Sequence, residues 1–288
     1  MPYTPPEGEI LPPPQAPPAS PTASAPAAPT QPRPPSRDHS DWDPRAAPAT
    51  YLLVAVNCAV YLWMVAHGVS AKDPSDLALL HYGANCPWYV LHGQWFRLVT
   101  ATFVHVGLLH LVTNMWCLWN LGMLGEPLLG PFGMLAIYLL TGAAGNLLSM
   151  AYNGAAFHIT RDPRVLFQVG AGASGAVFGI AGILIVLLSN RRLPFAWQDL
   201  QALRRRVVQF AGINLAIGLG ANFLPIGIQI DNLAHIGGFL SGLALGVPLV
   251  ARMTSGRSRY LRRQKLTFAA ACFALSLLGV WIVNFIHI

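Results

Sequence analysis

The sequence predicts an all-α, polytopic membrane protein with seven transmembrane helices, on three observations. Only 10% of its 288 residues are Asp, Glu, Lys or Arg, while 54% are hydrophobic; an ordinary soluble domain carries roughly 25% charged residues. From Tyr51 onward the apolar residues gather into seven uncharged segments, each about 17–22 residues long, the length that crosses a bilayer. The Lys and Arg residues fall between those segments, most of them on one side. A soluble chain of this size cannot cover so much apolar surface with so few charges, which excludes a soluble globular enzyme. The net charge of +7 sits in short loops and not on one basic face, which excludes a nucleic-acid binder and is the pattern of membrane orientation.

Residues 1–50 hold 16 of the 24 prolines. With Ala, Ser, Thr and Gln making up most of the rest, this segment cannot bury a core and reads as a disordered or polyproline-like tail. It lacks the basic start and short apolar run of a secretory signal. The apolar segments then run over 51–67, 107–125, 132–152, 170–188, 207–224, 232–251 and 267–286. In lipid every backbone group must find its partner within the segment, so each is helical. The stretch between the first two, 68–106, carries Trp88, Tyr89, Trp95 and Phe96 among polar residues and reads as a structured loop at the interface. Three domains result: the tail 1–50, a six-helix core 51–251, and a basic loop with a seventh helix over 252–288. The four cysteines (Cys58, Cys86, Cys117 and Cys272) have no metal-binding spacing, and three lie inside apolar runs, so no disulfide framework is expected.

Orientation follows from the cations. With the tail on one side, that side holds 14 of the 18 Lys and Arg residues, including Arg204–Arg206 and the cluster Arg257–Lys265. The other holds only Lys72, Arg97, Arg161 and Arg164. The richer side is the cytoplasmic one, which places the N-terminus inside and the C-terminus outside the cell membrane.

Polar groups inside apolar segments are costly and mark function. The second segment carries His110 and Asn114, with His105 just before it; the fourth begins Gly170-Ala-Gly172-Ala-Ser174-Gly175; the sixth begins Asp231-Asn-Leu-Ala-His235, then Gly238 and Gly242. These three segments run in the same direction and carry their polar residues near their N-terminal ends, so the residues share one depth, roughly 6–9 Å below the outer face at 1.5 Å per residue. Gly238 and Gly242 form a small-residue stripe on the His235 face, and Gly172 and Gly175 are expected to do the same for the fourth segment, letting the two helices touch. A serine needs a base to take its proton, and the oxyanion its attack creates needs fixed donors. Ser174 and His235 supply the first pair. His110 and Asn114, one turn apart, with the Ser174 N–H at a helix start, supply the donors. Taken singly, Ser174 also reads as helix packing, each histidine as a structural hydrogen-bonder, and Asn114 as interhelical glue. Asp231, four residues before His235, reads as a helix N-cap, with a third triad member as the alternative.

At these residues the sequence resembles the rhomboid family of intramembrane serine proteases. Gly172-Ala-Ser174-Gly175 matches the family's G-x-S-G, His110-Leu-Val-Thr-Asn114 its H-x-x-x-N, and Ala234-His235-Ile-Gly-Gly238-Phe-Leu-Ser-Gly242 its A-H-x-x-G-x-x-x-G. The resemblance covers about residues 51–251. It implies Ser174 as nucleophile, His235 as general base, and His110, Asn114 and the Ser174 amide as oxyanion hole. It also implies Phe178 as a ring against the histidine, Glu126 as a structural loop carboxylate, His105 as a loop-bonding residue, and Phe96-Arg97 in place of a Trp-Arg pair, with Trp95 compensating. The seventh helix resembles that of six-plus-one members. The implied substrates are membrane proteins, cut in or beside a transmembrane segment within the lipid bilayer; no cofactor, metal or nucleic acid is implied. Helix five and a cap loop over 224–230 are expected to move to admit substrate. A metal site on His105, His110 and His235 is the first rival, disfavoured because histidines five apart on one helix diverge. A non-catalytic rhomboid-like protein that binds membrane clients is the second, and a transporter the third.

Overall fold

A computed structural model of the chain describes residues 47–221, 230–250 and 253–286. Among these the secondary structure is helical, apart from one isolated bridge between Asn85 and Gly170. The chain begins with α1 (Pro48–Ala66), followed by three short helices, α2 (Asp76–His81), α3 (Pro87–Leu91) and α4 (Arg97–Thr100), inside the long interfacial stretch. Then come α5 (Leu108–Thr160), α6 (Ser174–Leu187), α7 (Trp197–Ala221), α8 (Asn232–Val250) and α9 (Arg257–Phe285). The expected cap loop and most of the proline-rich tail fall outside the described residues.

Four helices, α1, α5, α8 and α9, are long and apolar enough to cross a membrane. The expected second and third segments are the two arms of the 53-residue α5, parted at Gly130, whose φ of 73° and ψ of 165° are non-helical. A straight helix of that length would reach about 80 Å, far beyond a hydrocarbon core of about 30 Å, so the break with its flanking Pro127 and Pro131 folds it into two arms. The second arm continues to Thr160, past the expected end at 152. α6 has only 14 residues, about 21 Å. It begins only at Ser174 because Gly170, expected to be helical, instead exchanges backbone hydrogen bonds of 2.8 and 2.9 Å with Asn85, and Gly172 has φ +136°. α7 begins at Trp197, ten residues before its apolar part, and takes in Arg204–Arg206.

α6 is the centre of the bundle. It packs most extensively against α8 and next against α5, and Ile180, Ile183 and Leu184 are fully buried. The contact with α8 is backbone on backbone. A β-carbon built on Gly238 would land on the carbonyl of Gly175, and one on Gly242 on the carbonyl of Gly179. Gly182 and Gly145 approach the carbonyls of Phe239 and Ala234 in the same way.

Glu126 is the clearest departure from expectation. It lies inside α5, 2% exposed, and not in a loop. Its two carboxylate oxygens accept the N–H groups of Ala49 (2.8 Å) and Thr50 (2.7 Å) and the Thr50 hydroxyl (2.7 Å). α1 has no cap of its own, since Ala47 stands at the N-cap, and so its free N–H groups are satisfied by a carboxylate from a different helix. Glu126→Ala strands these donors and is expected to cost about 2–4 kcal/mol, read as a lowered melting midpoint in detergent. Glu126→Gln, which keeps one acceptor, should lose less.

Candidate active site

The approach to Ser174 is built by the interfacial stretch. Gly172 N–H donates to the Ala101 carbonyl (2.9 Å), and Ala173 N–H donates to His105 Nε2 (3.4 Å). His105 Nδ1 faces the Phe103 carbonyl at 3.3 Å, so both ring nitrogens have partners. Burial first, and the neighbouring His110 second, hold the His105 pKa down at about 3, which keeps the ring neutral and Nε2 an acceptor. The Asn85–Gly170 bridge is itself tied to α5, because Asn85 Nδ2 donates to the Asn146 carbonyl (3.3 Å) and Asn146 Nδ2 to the Leu98 carbonyl (2.9 Å). Asn85, Ala101 and Asn146 escaped the sequence reading. Their signal was only that of polar or small residues in a loop and an apolar helix.

Ser174 is thereby the first residue of α6, where N–H groups have no acceptor within the helix. Its Oγ lies 2.8 Å from His235 Nε2. The His235 ring stacks on Phe178 with centroids 4.6 Å apart and planes at 15°, one turn along α6. The other ring nitrogen, His235 Nδ1, is buried with no partner among the described residues. Asp231 does not serve it: one carboxylate oxygen accepts the Ala234 N–H (3.0 Å), as an N-cap does, and the other accepts the Ser149 hydroxyl (2.6 Å). Asp231 therefore does not extend the Ser174–His235 pair.

His110 comes to the same place from α5. Gly172 has φ +136°, and a β-carbon there would press on the His110 ring, 2.6 Å from Cε1 and 3.0 Å from Nε2. Gly172 therefore precedes the helix and makes room for His110; it does not line the α6–α8 contact as expected, where Gly179 stands in its stead. His110 Nδ1 accepts the Val106 N–H (3.3 Å), which leaves Nε2 to carry the proton. Asn114 is buried, and its Nδ2 donates to the His110 carbonyl (2.9 Å), using one of its two hydrogens. The structure thus gathers Ser174, His235, Phe178, Gly172 and His110, with Asn114 one turn further along the same helix.

The remaining expected residues lie apart. Arg97 donates to the carbonyls of Leu80 and Ala84, both at 2.8 Å, and to Gln94 Oε1 at 2.7 Å, pinning α2 to α4. Phe96 is exposed. Trp95 does not stand in for it but packs against Gly279 of α9. His105 and His110 approach to 5.4 Å between ring centres, because His105 lies in the turn before α5 and not on the helix. Among the described residues no group of three or more His, Cys, Asp or Glu is arranged to hold a metal ion.

A bundle of apolar helices, several of them long and apolar enough to cross a bilayer, with a serine and an imidazole at hydrogen-bonding distance, has the character of a multi-pass membrane protein. A family model for the rhomboid domain matches residues 92–252. The chain is 31% identical over 204 residues to rhomboid protease GluP of Bacillus subtilis, covering 69% of this chain and 35% of that protein. It is 30% identical over 206 residues to rhomboid protease AarA of Providencia stuartii, covering 70% of this chain and 72% of that protein. It is also 30% identical over 198 residues to rhomboid-like protease 2 of Toxoplasma gondii, covering 67% and 62%. The alignment thus spans about a third of GluP and just under two thirds of the Toxoplasma protein. The chain belongs to the rhomboid family.

Proposed function

We propose that this protein is an intramembrane serine endopeptidase that hydrolyses peptide bonds in or beside the transmembrane segments of membrane proteins. The observation that carries the reading is the 2.8 Å separation of Ser174 Oγ and His235 Nε2 across two apolar helices. His235 Nε2 takes the hydroxyl proton as Ser174 Oγ attacks the scissile carbonyl, then delivers it to the leaving amine. Phe178 holds the ring flat in place of a carboxylate partner. The oxyanion receives the Ser174 N–H at the start of α6, where the helix dipole also favours negative charge. His110 Nε2–H and the remaining Asn114 amide hydrogen complete the set. The seven crossings, with the N-terminus cytoplasmic and the site opening outward, follow from taking the two arms of α5, α6 and α7 as spans beside α1, α8 and α9. In support, the buried α6 needs no full-length lipid face of its own.

A serine-reactive fluorophosphonate probe tests the assignment. The purified protein should label, and Ser174→Ala should not; a protein that only binds membrane clients would label in neither case. Asn114→Ala removes one oxyanion donor and is expected to lower kcat about 10- to 1,000-fold with little change in KM, measured on a transmembrane peptide substrate.

A further inference from the structure

α9 has two unlike faces at its N-terminal end. One is locked to the protein: Gln264 Nε2 donates to the Leu129 carbonyl (2.7 Å) at the break in α5, and Phe268 meets Phe132 with rings 5.9 Å apart. Tyr260 is buried beside them. These contacts fix the rotation of the helix. The other residues of the same stretch, Arg257, Arg259, Arg262, Arg263 and Lys265, are exposed. Arg263 Nε donates to the Pro248 carbonyl (3.3 Å). The other four form no ion pair among the described residues, and no Asp or Glu occurs anywhere from Met253 to the C-terminus.

We propose that the shallow, open groove along this face of α9, lined by Arg257, Ser258, Leu261, Arg262 and Lys265, binds the phosphodiester headgroup of an anionic phospholipid. Three cations and a hydroxyl line it, the donors a phosphodiester needs, while Leu261 supplies an apolar wall for the start of an acyl chain. Arg262 and Lys265, three residues apart on the helix, repel one another, with Arg257 on the same face, and a bound anion relieves that repulsion. The position selects lipid over a soluble anion: the apolar run of α9 begins at Leu266, the next residue after the cluster, and Leu266 is 57% exposed. The groove therefore lies at headgroup level, where clustered basic residues beside a transmembrane helix attract anionic lipid. Because Gln264 ties this segment to the break in α5, an occupied groove also steadies the two arms. The inference is independent of the proposed catalysis.

The full chain in a non-ionic detergent is titrated with phosphatidylglycerol, phosphatidylcholine, or inorganic phosphate, and binding is read by native mass spectrometry and by the melting midpoint. Phosphatidylglycerol is expected to bind and to raise the midpoint; phosphatidylcholine and phosphate are not. The triple variant Arg257→Gln, Arg262→Gln, Lys265→Gln should weaken phosphatidylglycerol binding about 10- to 100-fold. Arg204→Gln, Arg205→Gln, Arg206→Gln removes the same charge from α7, away from this face of α9, and should leave binding unchanged. Equal loss in both triple variants would reduce the effect to general positive potential and overturn the site. Equal binding of inorganic phosphate would overturn the lipid assignment. Arg257→Lys with Arg262→Lys keeps the charge and, if binding persists there but not in the Gln variant of equal circular dichroism, rules out misfolding as the cause.

Discussion

Ser174→Ala is expected to abolish peptide-bond hydrolysis, by on the order of 10⁴-fold or more, as removal of a serine nucleophile does elsewhere. The substitution removes one oxygen and leaves nearly everything else in place. Ser174 is only half-buried, and its recorded side-chain contact is the 2.8 Å hydrogen bond to His235, so the folding cost is about 1 kcal/mol. The backbone N–H at the start of α6, His110 and Asn114 remain as donors, and substrate should still bind. Turnover and folding therefore separate cleanly: the variant should purify, melt near the wild-type temperature and capture substrate without cutting it. His235→Gln should match it in activity yet cost more stability, because it also discards the ring stacked 4.6 Å over Phe178. Because Asp231 is occupied by Ala234 and Ser149, Asp231→Asn, which keeps the cap through its one oxygen and turns its amide as a donor toward the Ser149 hydroxyl, should cost far less activity than either. Retention of wild-type cleavage by Ser174→Ala, measured with a transmembrane substrate in liposomes, would remove the proposed mechanism.

What the sequence made legible was the meeting of the polar residues. His110, Ser174 and His235 sit near the N-terminal ends of three uncharged segments that run in parallel, and the spacing of Gly238 and Gly242 from His235 puts a flat face beside the base. These are local facts, readable at the periods of a helix. The misreadings are all long-range. The family resemblance implies Glu126 as a loop carboxylate. The helix passes through it because donors from α1, more than 70 positions earlier in the chain, take up its charge. The small residues 170–173 looked helical, yet their N–H and carbonyl groups pair with Asn85 and Ala101, so the helix starts only at Ser174. That shift is what leaves the Ser174 N–H with no acceptor inside α6, and it turns Gly172 from a packing residue into one whose φ of +136° opens space for the His110 ring. Trp95 was assigned to its sequence neighbour, whereas its partner Gly279 is near the other end of the chain.

Gly242→Ala is expected to be, with Gly238→Ala, among the most damaging single-methyl changes in the bundle. A β-carbon at Gly242 meets the carbonyl and Cα of Gly179, backbone atoms that cannot swing away, so α6 and α8 must part. Overpacking of a rigid contact costs about 1–3 kcal/mol or more, and small residues at a membrane helix interface are what allow the close approach in the first place. The same separation acts on chemistry, since α6 carries Ser174 and α8 carries His235. A misplacement of about 1 Å between reacting groups costs on the order of 100-fold in rate. Two neighbouring glycines calibrate the effect. Gly246→Ala meets the Val186 side chain first, its Cβ at 2.8 Å, a milder clash than the one with the Gly179 carbonyl, so its penalty should be smaller. Gly212→Ala on α7 meets nothing within 4 Å and should be neutral or slightly stabilising, because alanine is the better helix former. Melting midpoints and cleavage rates measured together on the three variants should fall in the order Gly242, Gly246, Gly212. If Gly242→Ala kept both its midpoint and its rate, the α6–α8 backbone contact would not be what holds serine and histidine at bonding distance.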